Sequence, residues 1–77
     1  MNNQRRKQLN FAIGIMQEAL AIIQNARDEE GDFFENMPES LQDTERGQKA
    51  EETYGNLEEA CGYLQDVISS IENAVEP

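Results

Sequence analysis

The second half of the chain repeats apolar or small residues at alternating steps of four and three. Eight consecutive positions follow this rule without a break: Ala50, Tyr54, Leu57, Cys61, Leu64, Ile68, Ile71 and Val75. A repeat of about 3.5 residues keeps side chains on one face of an α-helix that packs lengthwise against another helix. Strand alternation does not compete over a comparable length. The pattern therefore predicts a long helix with a coiled-coil-like apolar seam.

The first half shows the same period. Its seam positions are Leu9, Ile13, Met16, Leu20 and Ile23, then the polar pair Arg27 and Glu30, then Phe34 and Met37. We predict helices over about residues 3–35 and 44–75, joined by a segment (36–43) too short for anything but an antiparallel turn. The fold class is therefore all-α: one helical-hairpin domain spanning residues 1–77.

The turn segment contains helix-boundary signals. Pro38 suits the start of a short helical turn at 37–42, and Asn36 and Glu39 stand at capping-box spacing before it. Asp43 and Thr44 are candidate N-caps for the second long helix.

Both helices have more apolar surface than one seam can bury. Phe11, Ile15 and Ile22 form a second flank on the first helix; Ala60, Val67 and Ala74 form one on the second. A chain of 77 residues with one cysteine has no internal disulfide to supplement a thin core. We therefore predict self-association into a four-helix bundle or larger homo-oligomer, through Phe11, Ile15, Ile22 and Val67.

Small residues also recur at heptad spacing. The rows are Ala12, Ala19 and Ala26 on the first helix and Gly55, Gly62 and Ser69 on the second. Two glycines inside a helix indicate either close approach of another helix or simple tolerance within a well-packed one.

Charge is strongly unbalanced, with sixteen acidic against six basic residues and a formal net charge of −10. Such a surface repels nucleic-acid phosphates and anionic membranes, so we expect neither as a direct partner. It suits a partner protein with a basic surface, or mimicry of a nucleic acid's charge. The chain has no apolar run of membrane-spanning length, and its single thiol fits a reducing, cytoplasmic setting.

The residue types exclude most catalytic chemistry. Without histidine, and with Cys61 in the apolar register, the chain offers no nucleophile–base pair and no ligand set for zinc, haem or iron–sulfur. Adjacent acids on a helix point about 100° apart and do not converge on one atom. The acids around residue 30 lack the ligand spacing of a calcium loop. We expect no enzymatic activity, no metal and no cofactor.

Two kinds of candidate site remain. Phe33, with Asp32, Glu35 and Glu29 around it, is a candidate partner-binding surface at the hairpin tip, although Phe33 could instead cover the bundle end that Phe34 fills. Candidate anion-binding residues are Arg5, Arg6 and Lys7 at the open end, and Arg46 and Lys49 near the turn. The alternative for the first three is ion pairing with Glu72 and Glu76.

The central run Asn36-Met37-Pro38-Glu39, with Leu41-Gln42-Asp43, Glu45-Arg46, Lys49-Ala50-Glu51-Glu52 and Asn56-Leu57-Glu58-Glu59-Ala60 after it, resembles small acidic helical proteins encoded in bacteriophage and prophage genomes. The resemblance covers roughly residues 28–74. It implies a phage origin and the cytoplasm of a bacterial host cell, but no activity or functional residues. Gly55, Gly62 and the apolar richness of the first helix depart from that pattern.

Three functions follow as hypotheses. The first is an interaction protein that binds a host protein with a basic surface and blocks or redirects it, as an anti-defence or nucleic-acid-mimicking inhibitor. The second is a homo-oligomeric sponge for a small anionic ligand such as a cyclic nucleotide. The third is a structural or scaffolding coiled coil.

Overall fold

The computed structural model describes residues 1–76, which form three helices in the order α1 (Asn3–Glu35), α2 (Glu39–Gln42) and α3 (Glu45–Val75). The long helices α1 and α3 pack against each other along a rod of 58 × 15 × 13 Å, and no strand occurs within residues 1–76. The predicted fold class, an all-α antiparallel hairpin, is confirmed.

The predicted seams form the core. Ile13, Ala50, Cys61 and Ile68 are buried. Every other predicted seam residue is half-buried except Tyr54, which is slightly more exposed. Two contacts fix the pairing of the helices, because Arg27 bonds Glu58 and Gly31 faces Tyr54, and the residue numbers add to 85 in both pairs. Residues whose numbers add to about 85 therefore lie at the same level of the rod.

Side-chain oxygens begin both long helices. Asn2 Oδ1 accepts the Arg5 backbone N–H at 2.7 Å at the start of α1, and Thr44 Oγ1 accepts the Gly47 N–H at 3.4 Å at the start of α3. Each bond satisfies one of the N–H groups that a helix leaves unpaired in its first turn. The prediction of Thr44 as an N-cap is confirmed, whereas Asn2 was not anticipated.

Two of the predicted caps are wrong. Asn36 ends α1, and its N–H donates to the Asp32 carbonyl at 2.9 Å. The N-cap of α2 is Pro38, without a side-chain cap, and Asp43 ends α2 rather than beginning α3. The capping-box prediction failed because the first helix continues to Glu35, which leaves Asn36 occupied in closing its last turn.

Gln42 ties the turn together. Its Nε2 donates to the carbonyls of Phe34 and Met37, both at 3.2 Å, so it satisfies acceptors that the end of α1 leaves free. The backbone of Gln42 also lies against Gly47, where an added Cβ would come within 2.6 Å of the Gln42 Cα. Gly47 is therefore required for space, and its backbone has no positive φ.

The hairpin exposes more surface than a globular chain of its mass. Its accessible area is 5745 Å² for 8.8 kDa, whereas a monomeric globular protein of that mass exposes about 4800 Å². Its radius of gyration is 17.4 Å, against about 11.5 Å for a compact domain of this length. No helix within residues 1–76 combines the length and apolarity needed to span a membrane.

Candidate interaction surfaces

Net charge is confined to one half of the rod. The tip half, residues 28–59, has twelve acidic and two basic residues and so the whole net charge of −10. The other half, residues 1–27 with 60–77, has four of each and is neutral overall. The hairpin pairs these segments at the same levels, so the charge asymmetry of the sequence becomes a separation along the rod.

The predicted partner-binding residues are all exposed, but they do not form one patch. At 100° per residue, Glu29 and Phe33 point to one side of α1, whereas Asp32 and Glu35 point toward the opposite broad side of the hairpin. The two pairs belong to different grooves at the tip.

The first groove surrounds Phe33. Its lining residues are Phe33, Asn36, Met37, Pro38, Leu41 and Arg46. Phe33 is 45% exposed, and the Arg46 guanidinium lies over its ring at 5.6 Å from the centroid. This cation–π contact engages one ring face, while the remaining exposed surface is available to a partner.

The second groove is rimmed by acids on an aromatic floor. It has a volume of about 410 Å³ and is lined by Asp28, Gly31, Asp32, Phe34, Glu35, Glu51 and Tyr54. The Tyr54 ring packs over Gly31, where an added Cβ would lie 3.0 Å from the ring edge. Sequence reasoning missed Gly31, Glu51 and Tyr54 as groove residues. The available signal was a glycine on α1 at the level of a seam tyrosine on α3.

The expected ion pairs of the basic trio do not form. In the described part of the chain the ion pairs all involve Arg27, and neither Glu72 nor Glu76 takes part. Arg6 instead donates through Nη1 to Asn3 Oδ1 at 3.3 Å. Helix two ends beside helix one with its acids directed to solvent, so the open end has cations without carboxylate partners among residues 1–76.

The candidate anion-binding residues are at opposite ends of the rod. Arg46 and Lys49 border a shallow surface depression near the turn, whereas Arg5, Arg6 and Lys7 lie in the first turns of α1. About 34 residues of helical rise, some 50 Å, separate the two groups. A single hairpin does not bring them together on one ligand.

Arg27 was treated in the sequence as an interruption of the seam, but it is an organised part of it. Its Nε donates to Asp28 at 3.0 Å and its Nη1 lies 3.5 Å from Glu58 on α3. The hydrogen bond to Asp28 raises the pKa of Arg27 above its ordinary value, while burial acts in the opposite direction. The side chain retains 21% of its exposure, so its aliphatic part fills a seam position while its charge is paired.

The predicted self-association residues remain uncovered in the single hairpin. Phe11 is 73% exposed, Ile22 69%, and Ile15 and Val67 about half. Tyr63, at 67%, belongs with them and was missed, because the helical period placed it outside the listed flank. Gly55 and Gly62 have no neighbour within 4 Å of an added Cβ, so they mark no close approach within the hairpin.

Reactive groups are scarce. Cys61 is 2% exposed in the core. Among residues 1–76, no three His, Cys, Asp or Glu side chains cluster in a way that could hold a metal ion.

Comparison of the chain with protein-family models, with curated proteins and with solved structures gave no match in any of the three. The function therefore has to be argued from the chain's own residues.

Proposed function

We propose that this chain is a non-enzymatic interaction protein, of phage type, that docks its acidic tip half on a basic surface of a bacterial host protein and blocks or redirects that protein. The observation that supports the proposal most directly is the segregation of charge. All ten net negative charges lie in residues 28–59, at one end of a 58 Å rod. A field concentrated at one end accelerates and orients association with a basic groove.

Tip geometry adds a way to hold basic side chains. The acid-rimmed groove places Tyr54 and Phe34 beside Asp32 and Glu35. Carboxylates pair with arginine and lysine head groups, and aromatic faces attract the same cations. On the other side of the tip, the exposed part of Phe33 offers an apolar contact next to Glu29. Basic residues interleaved with an apolar anchor are the partner surface that these two grooves fit.

The experiment compares two variants with the same change in net charge. Asp32→Asn with Glu35→Gln removes two carboxylates from the tip half, and Glu18→Gln with Asp66→Asn removes two from the neutral half; all four side chains are exposed. A partner is first captured from a bacterial lysate, and its affinity for each variant is then measured by calorimetry. We expect the tip variant to bind at least tenfold more weakly and the control to bind as wild type does.

Salt dependence provides the second readout. Affinity of the wild-type chain should fall at least tenfold between about 0.05 and 0.5 M salt, since exposed charge interactions are screened over that range. Equal losses in the two variants, or an affinity indifferent to salt, would reject tip-first electrostatic docking.

The two alternatives have less support. A sponge for a small anion needs converging cations, which one hairpin does not provide. A scaffolding coiled coil does not explain why the charge is confined to one end, and it would be favoured if loss of the gene impaired particle assembly rather than growth on defended hosts.

A further inference from the structure

The uncovered apolar residues lie on one broad side of the hairpin. Counting about 100° per residue back from the seam, Ala19 and Ile22 lie some 80–140° around α1, and Val67 and Tyr63 some 90–130° around α3. The rotation has the same sense on both helices. Because α1 and α3 are antiparallel, the same sense brings both stripes to the same side of the pair.

This apolar side is continuous and well defined. Its members are Phe11, Ala12, Ile15, Ala19, Ile22 and Ala26 on α1, and Ala60, Tyr63, Val67 and Ala74 on α3. By the level rule, Ile22 lies beside Tyr63 and Phe11 beside Ala74. The opposite broad side has Gln17, Gln24, Gln65 and Ser69 at corresponding levels. An apolar face on a hairpin that is otherwise polar is a contact surface.

The area of the exposed surface matches a second copy of the chain. The hairpin exposes about 950 Å² more than a globular monomer of its mass would. A stable two-protein interface removes about 800 Å² from each partner. Packing two such hairpins face to face gives a four-helix bundle, in which each helix contacts two others and the apolar side becomes interior.

Charge selects between the two possible two-fold arrangements. With the tips together, two halves of net charge −10 would lie side by side. With the tips at opposite ends, each acidic tip lies beside the neutral half of the other chain. The apolar stripe on α1 runs from Phe11 to Ala26, and its centre falls at the middle of the helix. A two-fold axis there overlaps the rods fully and sets Arg5, Arg6 and Lys7 against the acidic cluster of the other chain.

We propose that this apolar side binds a second copy of the chain, forming a two-fold symmetric four-helix bundle whose acidic tips point in opposite directions. The N-terminal cations, which have no carboxylate partner in the single hairpin, then meet residues 28–32 of the other protomer. This inference does not depend on the host partner, because it concerns the neutral half and the opposite broad side from Asp32 and Glu35.

The first test is oligomeric state, measured by light scattering and sedimentation at micromolar concentration. The wild-type chain should have twice the mass of 8.8 kDa. Ile22→Glu places a charge at the centre of the apolar side and should give a monomer that keeps its helical circular dichroism, since Ile22 is already exposed in the hairpin. Ala21→Glu adds the same charge at an exposed position of the other side and should remain dimeric.

The second test is orientation, read by disulfide formation under mild oxidation. With tips apart, Val67 lies at the two-fold axis next to its own counterpart, so Val67→Cys should crosslink into a dimer. With tips together, Val67 would face Ala19 of the other chain, and only the double variant Ala19→Cys with Val67→Cys would crosslink efficiently. The wild-type chain, whose only thiol is buried, is the matched control and should stay uncrosslinked.

A monomeric wild-type chain, or a dimer that Ala21→Glu disrupts as strongly as Ile22→Glu, would overturn the interface. A dimer that crosslinks through the Ala19 and Val67 pair, or through neither design, would overturn the orientation.

Discussion

Two glycines of α3 should respond in opposite directions to the same substitution. Gly47 and Gly55 are both helical, but an added Cβ at Gly55 meets nothing within 4 Å, whereas one at Gly47 would lie 2.6 Å from the Gln42 Cα. Alanine is favoured over glycine within a helix by about 1 kcal/mol, and helix propensity alone therefore predicts that both Gly→Ala variants are more stable. The contact with Gln42 reverses that expectation at Gly47.

The magnitude follows from the displacement that the methyl group requires. Ordinary contacts of a Cβ begin near 3.4 Å, so the backbone of Gln42 and α3 must separate by about 0.8 Å. Overpacking against backbone costs about 1–3 kcal/mol. The same displacement strains the two hydrogen bonds from Gln42 to the end of α1, each worth about 1 kcal/mol. After the helix-propensity gain, Gly47→Ala should lose about 2 kcal/mol of unfolding free energy, while Gly55→Ala should gain about 0.5–1.

Urea unfolding followed by circular dichroism measures both values. The chain concentration must be equal in all samples, since any self-association adds to apparent stability. Gly55→Ala is the internal control for helix propensity on the same helix. If Gly47→Ala proved as stable as Gly55→Ala, the turn would not depend on the close approach of Gln42, and the spatial explanation of Gly47 would be wrong.

Four further outcomes are expected. Thr44→Ala removes the N-cap of α3 and should cost about 1 kcal/mol in the same urea assay. Ile68→Ala empties a buried seam position and should cost about 2–5 kcal/mol, enough to lower the thermal midpoint markedly. Phe33→Ala should cost less than about 1.5 kcal/mol, since the ring is half exposed, yet should weaken capture of a host partner. The Cys61 thiol should react with Ellman's reagent only as the chain unfolds, and rapid reaction in buffer would show an open core.

The sequence predicted the helices because their seams are long and regular. The predicted ranges 3–35 and 44–75 lie within one residue of α1 and α3. Exposure of Phe11, Ile15 and Ile22 could also be foreseen, since a single seam occupies only one face of each helix. Thr44 was identified as a cap because its residue type and position both point to that role.

The turn and the tip grooves could not be foreseen, because they depend on contacts across the chain. Asn36 has the composition of an N-cap, and only the actual end of α1 shows that it closes that helix instead. Gln42 bonds carbonyls five and eight residues away, which no local pattern encodes. Asp32 and Glu35 were grouped with Phe33 by nearness in sequence, but the helical rotation places them on a different side.

The irregular pairs in the seam have a consequence for how the helices align. A heptad repeat of similar apolar residues would also accept a pairing slipped by seven positions, with little loss of seam contacts. In such a slipped hairpin Tyr54 would meet Gln24 instead of Gly31, where a side chain leaves no space for the ring, and Arg27 would lose Glu58. The correct pairing is thus distinguished by one hollow and one charge. Replacing both with ordinary seam residues would produce a rod that is still helical but exists in several alignments.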